Sequence, residues 1–357
     1  MTVTKVEAPH ASAEETRRLS GWWQGLDGHA AGLLAALAGL FAVLLVVGLA
    51  GCGARGTQVP ASAAAADGGK VKVVASFSAM ADFAEMVGGD HVEVTNLVPA
   101  GTEPHDWEPS ATDMQTIQDA DLFVYNGASM EHWVDDTLSS LGSQAPKAVK
   151  ASDGIQLLAG DHHDHGDAAT DAAETVADGA TDKAEVDPHV WLNPENAKVE
   201  LANIRDALSE VDPAHKDDYA KNFETYAAKM DQLDKDFRDR LSGVPNKTIV
   251  VAHEAFGYLC DAYGLTQAPI TGMDAEGEPD AQTMASIIDQ VKSQNIKVIF
   301  SEDLVSPKVA QQVADATGAT CEVLNPIEGL TDEQIAQGED YFSVMESNLD
   351  ELMKALS

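Results

Sequence analysis

DPAHKDDYAKNFETYAAKMDQLDKDFRDRLSGVP, residues 212–245, decides the architecture. Tyr219, Phe223, Tyr226, Met230, Leu233, Phe237 and Leu241 recur at steps of three and four. Apolar residues at that spacing form one stripe on an α-helix. About 30 residues at ~1.5 Å each give a rod of ~45 Å. Asp212 is a suitable N-cap, Pro213 a suitable first helical residue, and Gly243 with Pro245 stops the run. Helical patterning continues upstream to Pro194, so residues 193–243 are expected to form one linking helix, interrupted only at Asp212-Pro213.

On both sides of this rod, short β-rich runs alternate with helical patterns. Upstream the strands are Val71–Ser76, Val92–Val98, Leu122–Tyr125 and Lys147–Lys150; downstream they are Thr248–Ala252, Val298–Ser301 and Cys321–Leu324. Helical runs separate them, and Asp340–Leu356 closes the chain. Such alternation predicts two similar α/β lobes with mostly parallel sheets, residues 70–192 and 244–357, joined by the long helix. Residues 159–186, which contain DHHDHGD, have almost no large apolar residue and read as a solvated loop.

The chain carries 59 acidic against 22 basic residues, a net charge of −37. Phosphate backbones would repel it, which argues against nucleic acid, whereas cations are drawn to it. Residues 30–50 are 21 uncharged residues, long enough to cross a bilayer core of ~30 Å. They end at Leu49-Ala50-Gly51-Cys52, which resembles the lipobox of bacterial lipoproteins. Residues 1–52 are therefore expected to be a signal segment ending at a lipidated Cys52, and residues 53–69 a flexible tether. This places the folded part at the outer face of the cell membrane. Three cysteines exclude a disulfide scaffold and a Cys-rich zinc module.

Three of the 11 histidines stand out by position. His105 follows a strand, in Pro104-His105-Asp106-Trp107. His189 precedes the linking helix, in Asp187-Pro188-His189-Val190-Trp191-Leu192. His253 directly follows the strand Thr248–Ala252. Ligands of open α/β sheets bind beyond the carboxyl ends of strands, and two of these histidines sit there. His91 and His215, at element edges among polar neighbours, read as surface residues, and His132, at the start of a helix, as a surface or packing residue.

These stretches, with Val251-Ala252-His253-Glu254-Ala255-Phe256-Gly257-Tyr258 and Asn325-Pro326-Ile327-Glu328-Gly329-Leu330, resemble the cluster A-I (cluster 9) metal-binding lipoproteins of bacterial zinc and manganese ABC importers. The resemblance covers about residues 70–357. It implies two α/β lobes bridged by a long helix, metal bound in the cleft, and a membrane ABC permease as partner of a monomeric carrier. Manganese members resemble a two-His, Glu, Asp set, and zinc members use three histidines with a carboxylate or water. His253 in the third position favours zinc, because imidazole suits Zn²⁺ and manganese prefers oxygen. The Asn-Pro-Ile-Glu segment resembles the streptococcal-type zinc lipoproteins, whose Glu here is a ligand. Glu328 is thus the expected fourth ligand, with Glu302 and a water as competitors. Asp106, Asp187 and Glu254 are candidates to orient the rings. His162, His163 and His165 occupy the position of the His-rich loop of zinc members, as an auxiliary zinc collector or a loop without a role. The resemblance further implies a disulfide between Cys260 and Cys321.

Three functions follow: a Zn²⁺ carrier (or its manganese counterpart), a zinc hydrolase with Glu254 or Glu302 as base, and a surface adhesin. No HExxH-type motif supports the hydrolase, and no residue argues for the adhesin.

Overall fold

The computed structural model describes residues 69–160, 175–176 and 186–357. The chain runs β1 (Val71–Ala75), α1 (Ser78–Gly88), β2 (Val92–Asn96), α2 (Ala111–Gln118), β3 (Leu122–Tyr125), α3 (Val134–Leu141), β4 (Lys147–Lys150), β5 (Leu157–Leu158) and β6 (Thr175–Val176). Two helices follow, α4 (Pro194–Val211) and α5 (Lys216–Leu241). The second half runs β7 (Thr248–Val251), α6 (Gly257–Tyr263), β8 (Thr266–Pro269), α7 (Ala281–Gln294), β9 (Val298–Ser301), α8 (Lys308–Thr317), β10 (Thr320–Val323), α9 (Asp332–Gln337) and α10 (Tyr341–Leu356). Among the described residues no helix is long and apolar enough to cross a membrane.

The strand orders are β2-β1-β3-β4 and β10-β9-β7-β8, with every neighbouring pair parallel. Renumbered from its own first strand, the second sheet has the same order as the first, read from the opposite edge. The two expected lobes are therefore alike in topology as well as in class. Alternating residues divide each sheet between two cores, as the two-residue period of a strand requires. Val73 and Ala75 of β1, with Ile249 and Val251 of β7, enter one central core shared with α1, α4, α5, α6 and α10. Val74 faces an outer core with Ile117, Phe123 and Trp133, and Val250 faces another with Ile287, Ile299 and Val313.

The linking helix differs from its expected form. Residues 193–243 make two helices packed on each other, not one rod with a minor interruption. Asp212 closes α4 instead of opening α5. Its carboxylate pairs with Nδ1 of His215 at 2.6 Å and accepts from the Tyr219 hydroxyl at 2.7 Å. These bonds hold the chain across the break and start α5 three residues later than Pro213 predicts. The ring of His215 stacks on His91 at 3.9 Å, so both have packing roles.

Cys260 and Cys321 are free thiols, contrary to the disulfide that the resemblance implied. Cys260 lies in the central core on α6, which packs against β8. Cys321 belongs to β10, at the opposite edge of the sheet, and faces the outer core. Three strand spacings of ~4.8 Å far exceed the ~4.4–6.8 Å between Cα atoms of a disulfide. Burial pushes the Cys260 thiol far above its ordinary range.

Candidate metal centre

Loops at the carboxyl ends of both sheets, together with the turn before α4, bring four side chains to one point. The loop after β2 carries His105 and is tied to the second half by the Gly101 N–H, which donates to the Leu330 carbonyl at 3.0 Å. His189 heads the tight turn Val190–Leu192 that leads into α4. His253 lies two residues beyond β7, and Glu328 in the loop after β10. That last loop turns sharply: Ile327 has φ of 60°, in the left-handed region that a β-branched side chain rarely adopts. Its N–H donates to Oδ1 of Asn325 at 2.7 Å, which fixes the turn.

Nε2 of His189 stands 3.2 Å from Nε2 of His105, 3.4 Å from Nε2 of His253 and 2.9 Å from Oε1 of Glu328. The same Glu328 oxygen is 3.2 Å from Nε2 of His105 and 3.3 Å from Nε2 of His253. Donors ~2.0–2.1 Å from a tetrahedral Zn²⁺ stand ~3.3 Å apart, so the spacing suits one ion at the centre. These four are the group among the described residues whose donor atoms are placed to hold a metal ion. His189, His253 and Glu328 are buried, whereas the His105 side chain is 17% exposed.

Carboxylates behind the rings fix their orientation. Nδ1 of His189 pairs with Asp187 at 2.8 Å, and Nδ1 of His253 with Glu302 at 2.7 Å. Each carboxylate also accepts the backbone N–H of its own histidine. With Nδ1 engaged as donor, the Nε2 lone pair points at the centre. Of the three expected orienting carboxylates, Asp187 takes this role, whereas Asp106 is exposed. Glu302, expected as a rival ligand, is instead the partner of His253.

Burial works against a charge on His189, but its bonds to Asp187 and Glu328 and their charges outweigh this and raise its pKa to about 8. His253 is held well above the usual imidazole range, because Glu302 and Glu328 overcome the same burial penalty. Burial alone would push the Glu328 carboxyl up, yet His253, His105 and His189 hold it well below its ordinary value. A dication at the centre replaces protons that these negative groups retain.

Several supporting residues were not legible in the sequence. Tyr258 donates to the Asp187 carbonyl, Asn126 to that of Pro188 and Tyr341 to that of Trp191. Trp191 Nε1–H donates to the Pro326 carbonyl at 2.8 Å, linking the His189 turn to the Glu328 loop. Glu103 accepts the His105 N–H at 2.9 Å; burial raises its carboxyl against the pull of His105. Such bonds to carbonyls far along the chain have no local signature. The same holds for Gly257, where a Cβ would stand 2.2 Å from Oδ2 of Asp187. Cys52, His162, His163 and His165 lie outside the described residues.

A family model described as zinc-uptake complex component A, periplasmic (ZnuA) matches residues 73–355. The high-affinity zinc uptake system protein ZnuA of Bacillus subtilis is 39% identical over 308 residues, 86% of this chain and 93% of that protein. The zinc-binding protein AdcA of Streptococcus pyogenes is 41% identical over 286 residues, 80% of this chain. The match spans 56% of AdcA, just over half of that relative's length. The solved Zn(II)-bound ZnuA-like domain of Streptococcus pneumoniae AdcA superposes with a TM-score of 0.68 at 38% identity, covering 81% of this chain and 99% of that domain. The laminin binding protein Lmb of Streptococcus agalactiae, described as bifunctional with adhesin and metal transporting activity, superposes with a TM-score of 0.69 at 32% identity, over 80% of this chain and all of that one. Matched from residue 73 almost to its end, and alike in both sequence and fold, the chain belongs to the ZnuA family of zinc-uptake binding components.

Proposed function

We propose that the protein captures Zn²⁺ outside the cell through His105, His189, His253 and Glu328 and delivers it, as a monomer, to the permease of an ABC importer. Zn²⁺ is the cargo, not a resident cofactor. The observation that carries this reading is the closed set of four donors at tetrahedral spacing, three of them imidazoles. Three imidazoles and one carboxylate suit zinc better than manganese, which favours oxygen. A catalytic zinc site keeps a position open for water and needs a general base beside it. Here Glu328 takes the fourth position, and Glu302 is engaged by His253. The protein is thus a carrier without covalent chemistry, anchored to the outer face of the membrane through lipid on Cys52. Metal analysis of the purified protein, with Zn²⁺ and Mn²⁺ in competition, tests the reading. One tightly held Zn²⁺ that excess Mn²⁺ fails to displace is the expected result. A preference for Mn²⁺, or turnover of ester or peptide substrates, overturns it.

A further inference from the structure

The buried face of α4 consists of Pro194, Ala197, Glu200, Leu201, Ile204, Ala207 and Leu208. Glu200 is the one charged residue type on this face, and it is fully buried. Neither of its carboxyl oxygens has a hydrogen-bond partner among the described residues. Two more buried oxygens are in the same state, Oδ1 of Asn126 beyond β3 and Oγ of Ser152 beyond β4.

Asn126 and Ser152 are neighbours beyond β3 and β4, α4 is tied to that edge through Asn203, and the Glu131 carboxylate that repels Glu200 accepts the Asn126 N–H. The Ser152 N–H donates to the Asn126 carbonyl at 3.1 Å. Asn203, about one turn after Glu200 on α4, donates through Nδ2 to the Ala151 carbonyl at 2.7 Å. Asn126 Nδ2 in turn donates to the Pro188 carbonyl at 3.0 Å, immediately before His189. The ionisable groups facing Glu200 bring no positive charge. Glu131, beyond β3, repels it, and Tyr258 on α6 and Tyr341 on α10 are neutral hydroxyls that donate to backbone carbonyls. Burial first, then Glu131, pushes the Glu200 carboxyl well above the carboxylate range. An unpaired buried carboxylate is far costlier than its protonated form. Acceptors outnumber donors at this edge. One internal water supplies two O–H groups and accepts one, and such waters typically make ~3 hydrogen bonds to otherwise unpaired polar groups.

We propose that Glu200 stays protonated at neutral pH and binds a buried water together with Asn126 and Ser152, a cluster that positions the Pro188 carbonyl and through it His189. Glu200 is then a positioning residue of the metal centre. The affinity arm of its test rests on the zinc-binding function proposed above; the spectroscopic arm does not.

Difference infrared spectra of the metal-free protein, wild type minus Glu200→Gln at pH 7, should contain a protonated-carboxyl C=O band. Its absence overturns the proposal. In Ser152→Ala that band should move, and an unmoved band removes the shared water. For zinc, Glu200→Gln should bind within about threefold of wild type, and Glu200→Leu about tenfold or more weaker. Glu200→Leu binding like wild type, or Glu200→Gln falling equally far, overturns the positioning role. Should Glu200→Leu not fold, Ser152→Ala decides, with a severalfold loss expected and none overturning it. A wild type that bound no zinc but kept the band would refute the proposed function and spare the protonated Glu200.

Discussion

At the metal centre the protonation of single rings governs affinity. Coordination needs neutral imidazoles, so protons compete with zinc below the pKa of each ring. His189 titrates at about 8 without metal, and His253 well above the imidazole range. Zinc affinity should therefore already decline as pH drops through about 8, not first near the ~6.5 of an isolated histidine. Asp187→Asn and Glu302→Gln should each cost about 10–100-fold in affinity at neutral pH. Both should also move the pH-dependent decline downward, because the ring loses the carboxylate that stabilises its charge. Competition titrations from pH 5 to 9 give both quantities. The three histidines were readable from the sequence because each is tied to the end of an element. Glu328 was readable from its place in the loop after the strand Cys321–Leu324 together with the family resemblance. Which carboxylate reaches which Nδ1 was not readable at all, since the Glu302–His253 contact spans 49 residues and depends on β7 and β9 being neighbours.

Elements obeyed the same division between local and distant causes. Strands rich in Val, Ile and Phe, such as Leu122–Tyr125 and Val298–Ser301, stand at the residues their composition predicts. β8 escaped notice because Thr-Gln-Ala-Pro lacks an apolar run; it is an edge strand, where a terminal proline is tolerated. The break between α4 and α5 was legible as a break, but not the use made of Asp212. Asp212→Ala would leave the Tyr219 hydroxyl buried without its acceptor, at a cost of about 1–3 kcal/mol. Urea unfolding should report that loss, with zinc affinity nearly unchanged. Gly257 opens α6 and should behave in the opposite way. Gly257→Ala drives a methyl into Asp187, so zinc affinity should fall about tenfold or more while far-UV circular dichroism stays the same.

Across the whole molecule, two donors come from each half of the chain, and the central core runs through both sheets. Saturating zinc should raise the melting temperature of a single cooperative transition, and chelation should reverse it; free ligand at 1,000 times Kd contributes about 4 kcal/mol. A further link between the halves is Asp82 on α1, whose carboxylate accepts the N–H of Tyr341 at the start of α10. Burial, chiefly, raises its pKa to about 7, with Glu85 and Asp340 adding to the rise. An acid raised on folding contributes its stability at low pH and loses it as pH climbs from about 4 through about 7. Asp82→Asn should therefore match wild type near pH 4 and melt several degrees higher at pH 8. An equal gain at both pH values would refute the assignment.

The four donors do not meet solvent equally. His105 alone is partly open, on a loop outside both sheets, while the other three are sealed behind it. Traffic therefore has a direction: an arriving ion meets His105 first, and a departing one breaks that bond before water can reach the rest. Residence time is then governed by how often the segment around Gly101 lifts from Leu330. Gly101→Pro removes that N–H and, because Gly101 has φ of 73° where proline is held near about −65°, also unseats the turn; it should shorten residence more than it slows capture, a contrast that stopped-flow exchange into a chelator resolves. Release by that route would need only this strap to lift, with the two sheets staying where they are.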